Sequence, residues 1–168
     1  MSYKLTIELV PKTIWFDSIA QICKKTNQTK KWELIKKKIF ETEGLQCWIC
    51  GKEDTRLEAH EFWMYDDDKR IQKLTAIHHL CGLCHKIKHI GLWCHTERGK
   101  SLLSKAGLSR DDLIRHFCMI NKCSEEDFEQ HEQKAFIIFS QRSKYAWIQD
   151  FGEYDPDGSL KLFINSEK

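Results

Sequence analysis

Four cysteines fall into two C-x-x-C pairs, Cys47/Cys50 in "CWIC" and Cys81/Cys84 in "CGLC", and three histidines lie nearby. His60 sits in "LEAHEFW", His85 and His89 in "CHKIKH". Paired thiolates at this spacing suit tetrahedral zinc. The 30 residues between Cys50 and Cys81 exceed the roughly 15–20 of a simple zinc ribbon, so the insertion is expected to carry structure of its own. Its patterning predicts a strand over "RLEAHEFW", a loop at "MYDDDKR" and a strand over "IQKLTAIHHL". A short helix then begins in "CGLCHKIKHIG", with Gly91 as its stop. His85 and His89 are four apart and share one helix face. His60, from the first strand, can join them in the cleft between hairpin and helix. Three such imidazoles would hold a divalent cation and leave positions open for water and phosphate. The plainer alternative is that the cysteines only tie a small fold together and the histidines are packing residues.

Around this centre the patterning predicts elements that would support it. "YKLTIELV" alternates Tyr3, Leu5, Ile7 and Leu9 with polar residues, as a half-buried strand does, and Pro11 ends it. Helices are expected over 13–23 and 29–42, the second placing Trp32, Ile35, Ile39 and Phe40 on one face and stopping at Gly44. "TERGKSLLSKAGLS" suits a loop or short helix. Ser109 with Asp112, and Ser124 with Asp127, resemble capping boxes and predict helices over 110–121 and 125–146. "YDPDGS" is a turn, and "LKLFIN" after it alternates like a terminal strand. The expected fold is α+β, with a mostly helical surround and terminal strands. Residues 1–44 supply a strand and basic helices, 45–95 the cysteine-rich core, and 96–168 helices and the last strand of a single domain.

Composition narrows the setting. The 168 residues are 41% hydrophobic and 31% charged, as in ordinary globular chains. No apolar run approaches the roughly 18–20 residues of a membrane span, and the first residues lack the pattern of a signal peptide. Together with C-x-x-C pairs of the metal-binding type, this points to a cytoplasmic protein with no membrane partner. Net charge is only +2, but residues 24–38 carry seven lysines against one glutamate. Lys30, Lys31 and Lys37 there, with Lys86 and Lys88 beside the histidines, are candidate phosphate contacts; the alternative for the run is a solvated helix face. Asp66, Asp67 and Asp68 form a rival cluster for a hard metal, or a solvated loop. Trp15, Trp32, Trp48, Trp63, Trp93 and Trp147 are expected mainly in the core, with one or two available to stack on unpaired bases. Cys94 and His95 have no well-spaced mate and read as structural.

The string "CWIC…LEAHEFW…LCGLCHKIKHIG" resembles the HNH (His-Asn-His, ββα-metal) nucleases, in the branch with a structural zinc on four cysteines. It also looks like small bacterial and phage HNH-annotated proteins with "AHE-x-W-x-YDD" followed by "LC-x-x-CH-x-x-KH-x-G". The resemblance covers residues 45–92. It implies a ββα-metal core with zinc on Cys47, Cys50, Cys81 and Cys84, and Mg²⁺, Mn²⁺ or another divalent cation on His60, His85 and His89. It also implies metal-dependent cleavage of phosphodiesters, usually in DNA, with RNA as a further substrate class. Glu58 matches the acid of the first-strand motif. The family's general base falls on Glu61 and its central Asn on Ala76, so both positions depart from the pattern. His78 and His79, predicted to point to opposite faces, stand near the missing Asn and offer a substitute. The alternative to catalysis is a zinc fold that binds nucleic acid or a partner protein without cutting, for example a regulator or inhibitor in host–virus conflict.

Overall fold

In a computed structural model that describes residues 3–53 and 55–160, the chain is an α+β protein built around one long hairpin. Strands β1 (Leu57–Asp66) and β2 (Ile71–Cys81) pair antiparallel, with His60 opposite His78 and Glu58 opposite Leu80. A short strand, β3 (Ile148–Asp150), adds to β2 in parallel at Ile71–Lys73, giving the order β1-β2-β3. Sequence patterning gave no sign of this three-residue strand. A bulge between Phe62 and Trp63 leaves Thr75 outside the pairing, and its hydroxyl donates to Phe62 O. The extra residue lets Leu74 and Ile77, three apart, face the same side.

Each side of the hairpin carries its own core. On one side Phe62 and Leu80 pack with helices α3 (Gly82–Lys88), α4 (Ile90–His95), α5 (Glu97–Lys105), α6 (Arg110–Asn121) and α7 (Glu125–Arg142). On the other, Ala59, Trp63, Leu74 and Ile77 meet α1 (Ile19–Lys25) and α2 (Thr29–Glu43). Both expected capping boxes are formed: Ser109 with Asp112 starts α6, and Ser124 with Asp127 starts α7. Gly44 closes α2 at φ +73°, a conformation L side chains rarely adopt.

Several expectations need correction. Residues 3–10 keep the predicted alternation, with Leu5 and Ile7 buried, yet form no strand. Side chains substitute for a neighbouring strand: Asn121 accepts from Leu5 N and donates to Leu5 O, and His131 Nε2 accepts from Ile7 N. The helix expected over 13–23 breaks into a turn at Lys12–Ile14 and α1, where Ser18 caps the new start. Gly91 does not stop a helix. The chain bends at His89, and Gly91 lies inside α4, where an added Cβ would come 3.2 Å from Leu9 Cδ2. The expected terminal strand "LKLFIN" lies almost wholly outside the described residues. No helix among the described residues is long and apolar enough to cross a membrane.

Candidate metal centre

The turn after α2 and the end of β2 bring the four thiols together. Trp48 N donates to His79 O, fixing the first C-x-x-C turn against β2, while Gly51 N returns to Cys47 O. The sulfurs of Cys47, Cys50, Cys81 and Cys84 lie within 4.8 Å of one another, Cys50 and Cys81 at 3.6 Å. All but Cys50 are buried. Hydrogen bonds from Cys81 and Cys84 pull the Cys47 thiol far down, and the bond to Cys47 pushes Cys81 up to about 11 and raises Cys84. The cluster is thus a proton-sharing group of the kind a cation replaces when it takes thiolates as ligands. His116, buried on α6, places Nε2 3.2 Å from Cys84 Sγ.

The second group forms across the hairpin–helix junction. Even-numbered β1 side chains Glu58, His60 and Phe62 face α3, because strand side chains alternate. His89 N bonds His85 O, so the two helical histidines keep the i, i+4 relation through the bend. Nitrogens of His60, His85 and His89 lie within 4.8 Å of one another. Ring centroids are separated by 4.8–5.3 Å. His60 is only 6% exposed, and burial holds its ring neutral well below the usual range; the fields of His89 and His85 add to this. Burial also lowers His85, and takes His89 down to about 3. Three neutral, converging imidazoles are the protonation state that metal ligation needs. The Glu58 carboxylate meets His85 Nδ1 at 2.6 Å, leaving Nε2 for a ligand.

Comparison of the chain with protein-family models, curated proteins and solved structures finds no match. The geometry alone therefore carries the functional reading.

The structure separates Glu61 from this group. One residue beyond His60, it points to the opposite strand face and accepts from Ile19 N at 2.8 Å, holding the first turn of α1. Burial pushes its carboxyl up to about 7, against the lowering effect of backbone N–H groups at Ile19 and Ala20. The face of His60 instead carries His78, its direct partner across the hairpin. His78 Nδ1 is hydrogen-bonded to the Glu43 carboxylate, and Trp48 stacks flat on its ring at 4.0 Å. Trp48 is 53% exposed and so presents its other side to solvent. His79 points the other way and stacks on Phe40, as the alternation predicts.

The lysines divide. Lys88 is 1% exposed, its Nζ bound to Thr6 and Glu8, so it is a structural cation rather than a phosphate contact. Lys31 is tied to Asp155 and Asp157 and is likewise spent. Lys30 and Lys37 are exposed on α2, and Lys86 lies half-buried with Nζ 4.5 Å over the Trp93 ring. The acidic loop is structural: Asp66 accepts the turn amides of Asp68 and Lys69, and Asp67 forms a two-bond pair with Arg142. His95 is bonded to Glu132. Glu43 and His116 gave no signal in sequence spacing, whereas Glu58 was singled out by its match to the acid of the family's first-strand motif.

Proposed function

We propose that this chain is a divalent-metal-dependent HNH-type endonuclease that hydrolyses phosphodiester bonds in DNA. The observation that carries the reading is the convergence of His60, His85 and His89 between hairpin and helix, in a chain that also gathers four cysteines, one of them, Cys84, next to His85. The cluster suits structural zinc, since Zn–S bonds of about 2.3 Å place tetrahedral sulfurs roughly 3.8 Å apart. The separation of Cys50 and Cys81, 3.6 Å, is of that size. A closed sulfur site and an open nitrogen site are the two forms in which proteins use a cation structurally and catalytically.

A divalent cation on the three imidazoles would neutralise charge on the scissile phosphate and its leaving oxygen. The chain's own residues do the remainder. Glu58 fixes the ring orientation of His85. His78, on the same face as His60 and oriented by Glu43, takes the base role that Glu61 has left, receiving a proton from the attacking water. Lys86 and the exposed lysines of α2 hold the backbone without reading sequence.

The test is incubation of the protein with supercoiled plasmid and Mg²⁺, Mn²⁺ or Ni²⁺, beside His60→Ala. Nicking by the wild type and its loss in the variant is the expected result. One observation favours a second reading, binding without cleavage: Glu61, Lys31 and Lys88 are all committed to structural contacts. Retention of DNA on the protein with no cleavage under any of the three cations would establish it.

A further inference from the structure

The cavity that reaches the three histidines does not end there. About 290 Å³ in volume, it is lined by β1 residues of both faces, His60 as well as Ala59, Glu61, Trp63 and Tyr65, so it passes around the outer edge of that strand. Its walls include four aromatic side chains, Trp15, Trp32, Trp63 and Tyr65. Trp15, 37% exposed, stands at the solvent side.

At the polar side of this chamber lies Gln149, 3% exposed. Its Nε2 donates to Asp17 O and to Gln72 Oε1, both at 2.9 Å, which fixes which end of the amide is oxygen. Gln72 in turn donates to Tyr65 OH at 2.8 Å. Gln149 Oε1 is left buried with no hydrogen-bond partner among the described residues. An orphaned buried acceptor is costly, so this position calls for an N–H donor on a guest.

The guest's chemistry follows from the lining. Among the described residues that line it there is no lysine or arginine, so the three histidines are its candidate contacts for a phosphate group. Aromatic walls, with Gln149 Oε1 as a buried acceptor lacking a partner, suit a flat heterocycle bearing N–H groups. The lining also carries three carboxylates, but each is already engaged, Glu8 by Lys88, Asp17 by Lys25 and Glu61 by Ile19 N, which disfavours a cationic guest. A volume near the lower end of ligand sites, roughly 300 Å³, suits a single ring system rather than a chain segment.

We propose that this chamber receives one unpaired nucleobase of single-stranded or locally opened DNA, adjacent to the phosphate held at the histidines. The placement of that phosphate rests on the nuclease reading; the base site itself does not require cleavage. An enzyme acting on a strand whose base is drawn into such a pocket would prefer unpaired or easily opened sites over firm duplex.

The experiment separates the two. A short single-stranded DNA carrying 2-aminopurine at one position is titrated into the full-length protein without added Mg²⁺ or Mn²⁺, beside the same strand with an abasic site there. Stacking is expected to change the fluorophore's emission and to make the intact strand bind about tenfold more tightly than the abasic one. Trp15→Ala, at the exposed side, and Gln149→Leu are expected to reduce that preference by about fivefold or more while leaving abasic binding unchanged. Equal binding of intact and abasic strands overturns the proposal, as does an unchanged preference in the Trp15 variant. Displacement of the strand by N-methylguanidinium at lower concentration than by adenosine or cytidine also overturns it, in favour of a cation site. Persistent base preference with no plasmid nicking would sink only the nuclease reading.

Discussion

Glu58 holds His85 through a 2.6 Å contact between carboxylate Oε2 and ring Nδ1. The contact occupies Nδ1, so Nε2 is the nitrogen left for a ligand, and the carboxylate would make His85 a better one. Removing such a carboxylate typically weakens metal binding 10–100-fold. Glu58→Ala is expected to lower affinity for Mn²⁺ or Co²⁺ by about that factor, measured by calorimetric titration, and Glu58→Gln by less. The fold should be unaffected, since Glu58 is partly exposed.

A separate expectation distinguishes His78 from Glu61 as the base. His78→Ala should reduce plasmid cleavage by about 10²–10⁴ while preserving cation binding, the usual range for loss of a positioned proton acceptor. Glu43→Gln should give a smaller loss. Glu61→Gln should cleave normally, because its amide oxygen can still accept from Ile19 N. It should also stabilise the protein above pH 7. Burial raises Glu61 to about 7, above its unfolded value, so charging it costs stability as pH rises between those values. A gain on the order of 2 kcal/mol at pH 8 in a denaturant titration is expected. Full loss of cleavage in Glu61→Gln would restore the glutamate as base.

The three histidines predict the opposite pH slope in the metal-free protein. Burial depresses all of them in the folded state, His89 to about 3, whereas an unfolded chain titrates near the ordinary value, about 6.5. The unfolded state therefore binds more protons below that value, and stability is lost as pH falls from about 6.5 toward 3. Thermal melts across this window should show a steady decline that is shallower in His89→Gln. Cation binding by the folded protein should persist below about pH 6.5 and fail only as pH approaches the depressed folded values, about 3 for His89, where protons compete with metal for the same nitrogens.

Much of this centre was legible because it depends on local periodicity. The C-x-x-C spacing found all four thiols, and the i, i+4 helical relation of His85 and His89, with His60 on the first strand of the expected hairpin, found the three imidazoles. The same alternation, counted one residue on from His60, sends Glu61 to the far face; the family pattern suggested otherwise. What stayed hidden was pairing at long range. Lys31 and Lys88 are visible as charges, but Asp155 and Glu8 as their partners are set by tertiary packing alone. His116 is of the same kind, a helix residue whose sulfur partner lies 32 positions away.

That sulfur contact yields its own expectation. Cys47, Cys81 and Cys84 belong to the larger core, so a cation on them ties the hairpin to α3 and the turn after α2. Chelation, or Cys84→Ser, should remove several kcal/mol of stability, read as a large fall in melting temperature with loss of one bound zinc by elemental analysis. His116→Leu keeps the packing volume but takes away the group beside Cys84 Sγ. It should release zinc to a chelator roughly 10–100-fold more readily, with the three-histidine site unchanged. Equal zinc retention in the variant would show that the contact is packing alone.

Asn121 makes the N-terminal segment's failure to be a strand testable. Its amide serves both Leu5 N–H and Leu5 C=O, the two bonds a neighbouring strand would supply. Leu5 and Ile7 can then bury in the larger core without a ladder. Asn121→Ala removes both partners at once and leaves two backbone groups of a buried residue unsatisfied, a cost of about 1–3 kcal/mol for each. Melting should drop accordingly. Amide exchange should accelerate at Leu5 and at Ile7, whose N–H is held by His131 Nε2, before it changes in β1 or β2. Because Glu8 from the same segment holds Lys88, the residue next to His89, the variant should also loosen cation binding at the nitrogen site. Unchanged exchange at Leu5 would mean that burial of its side chain alone, not the amide pair, keeps the segment in place.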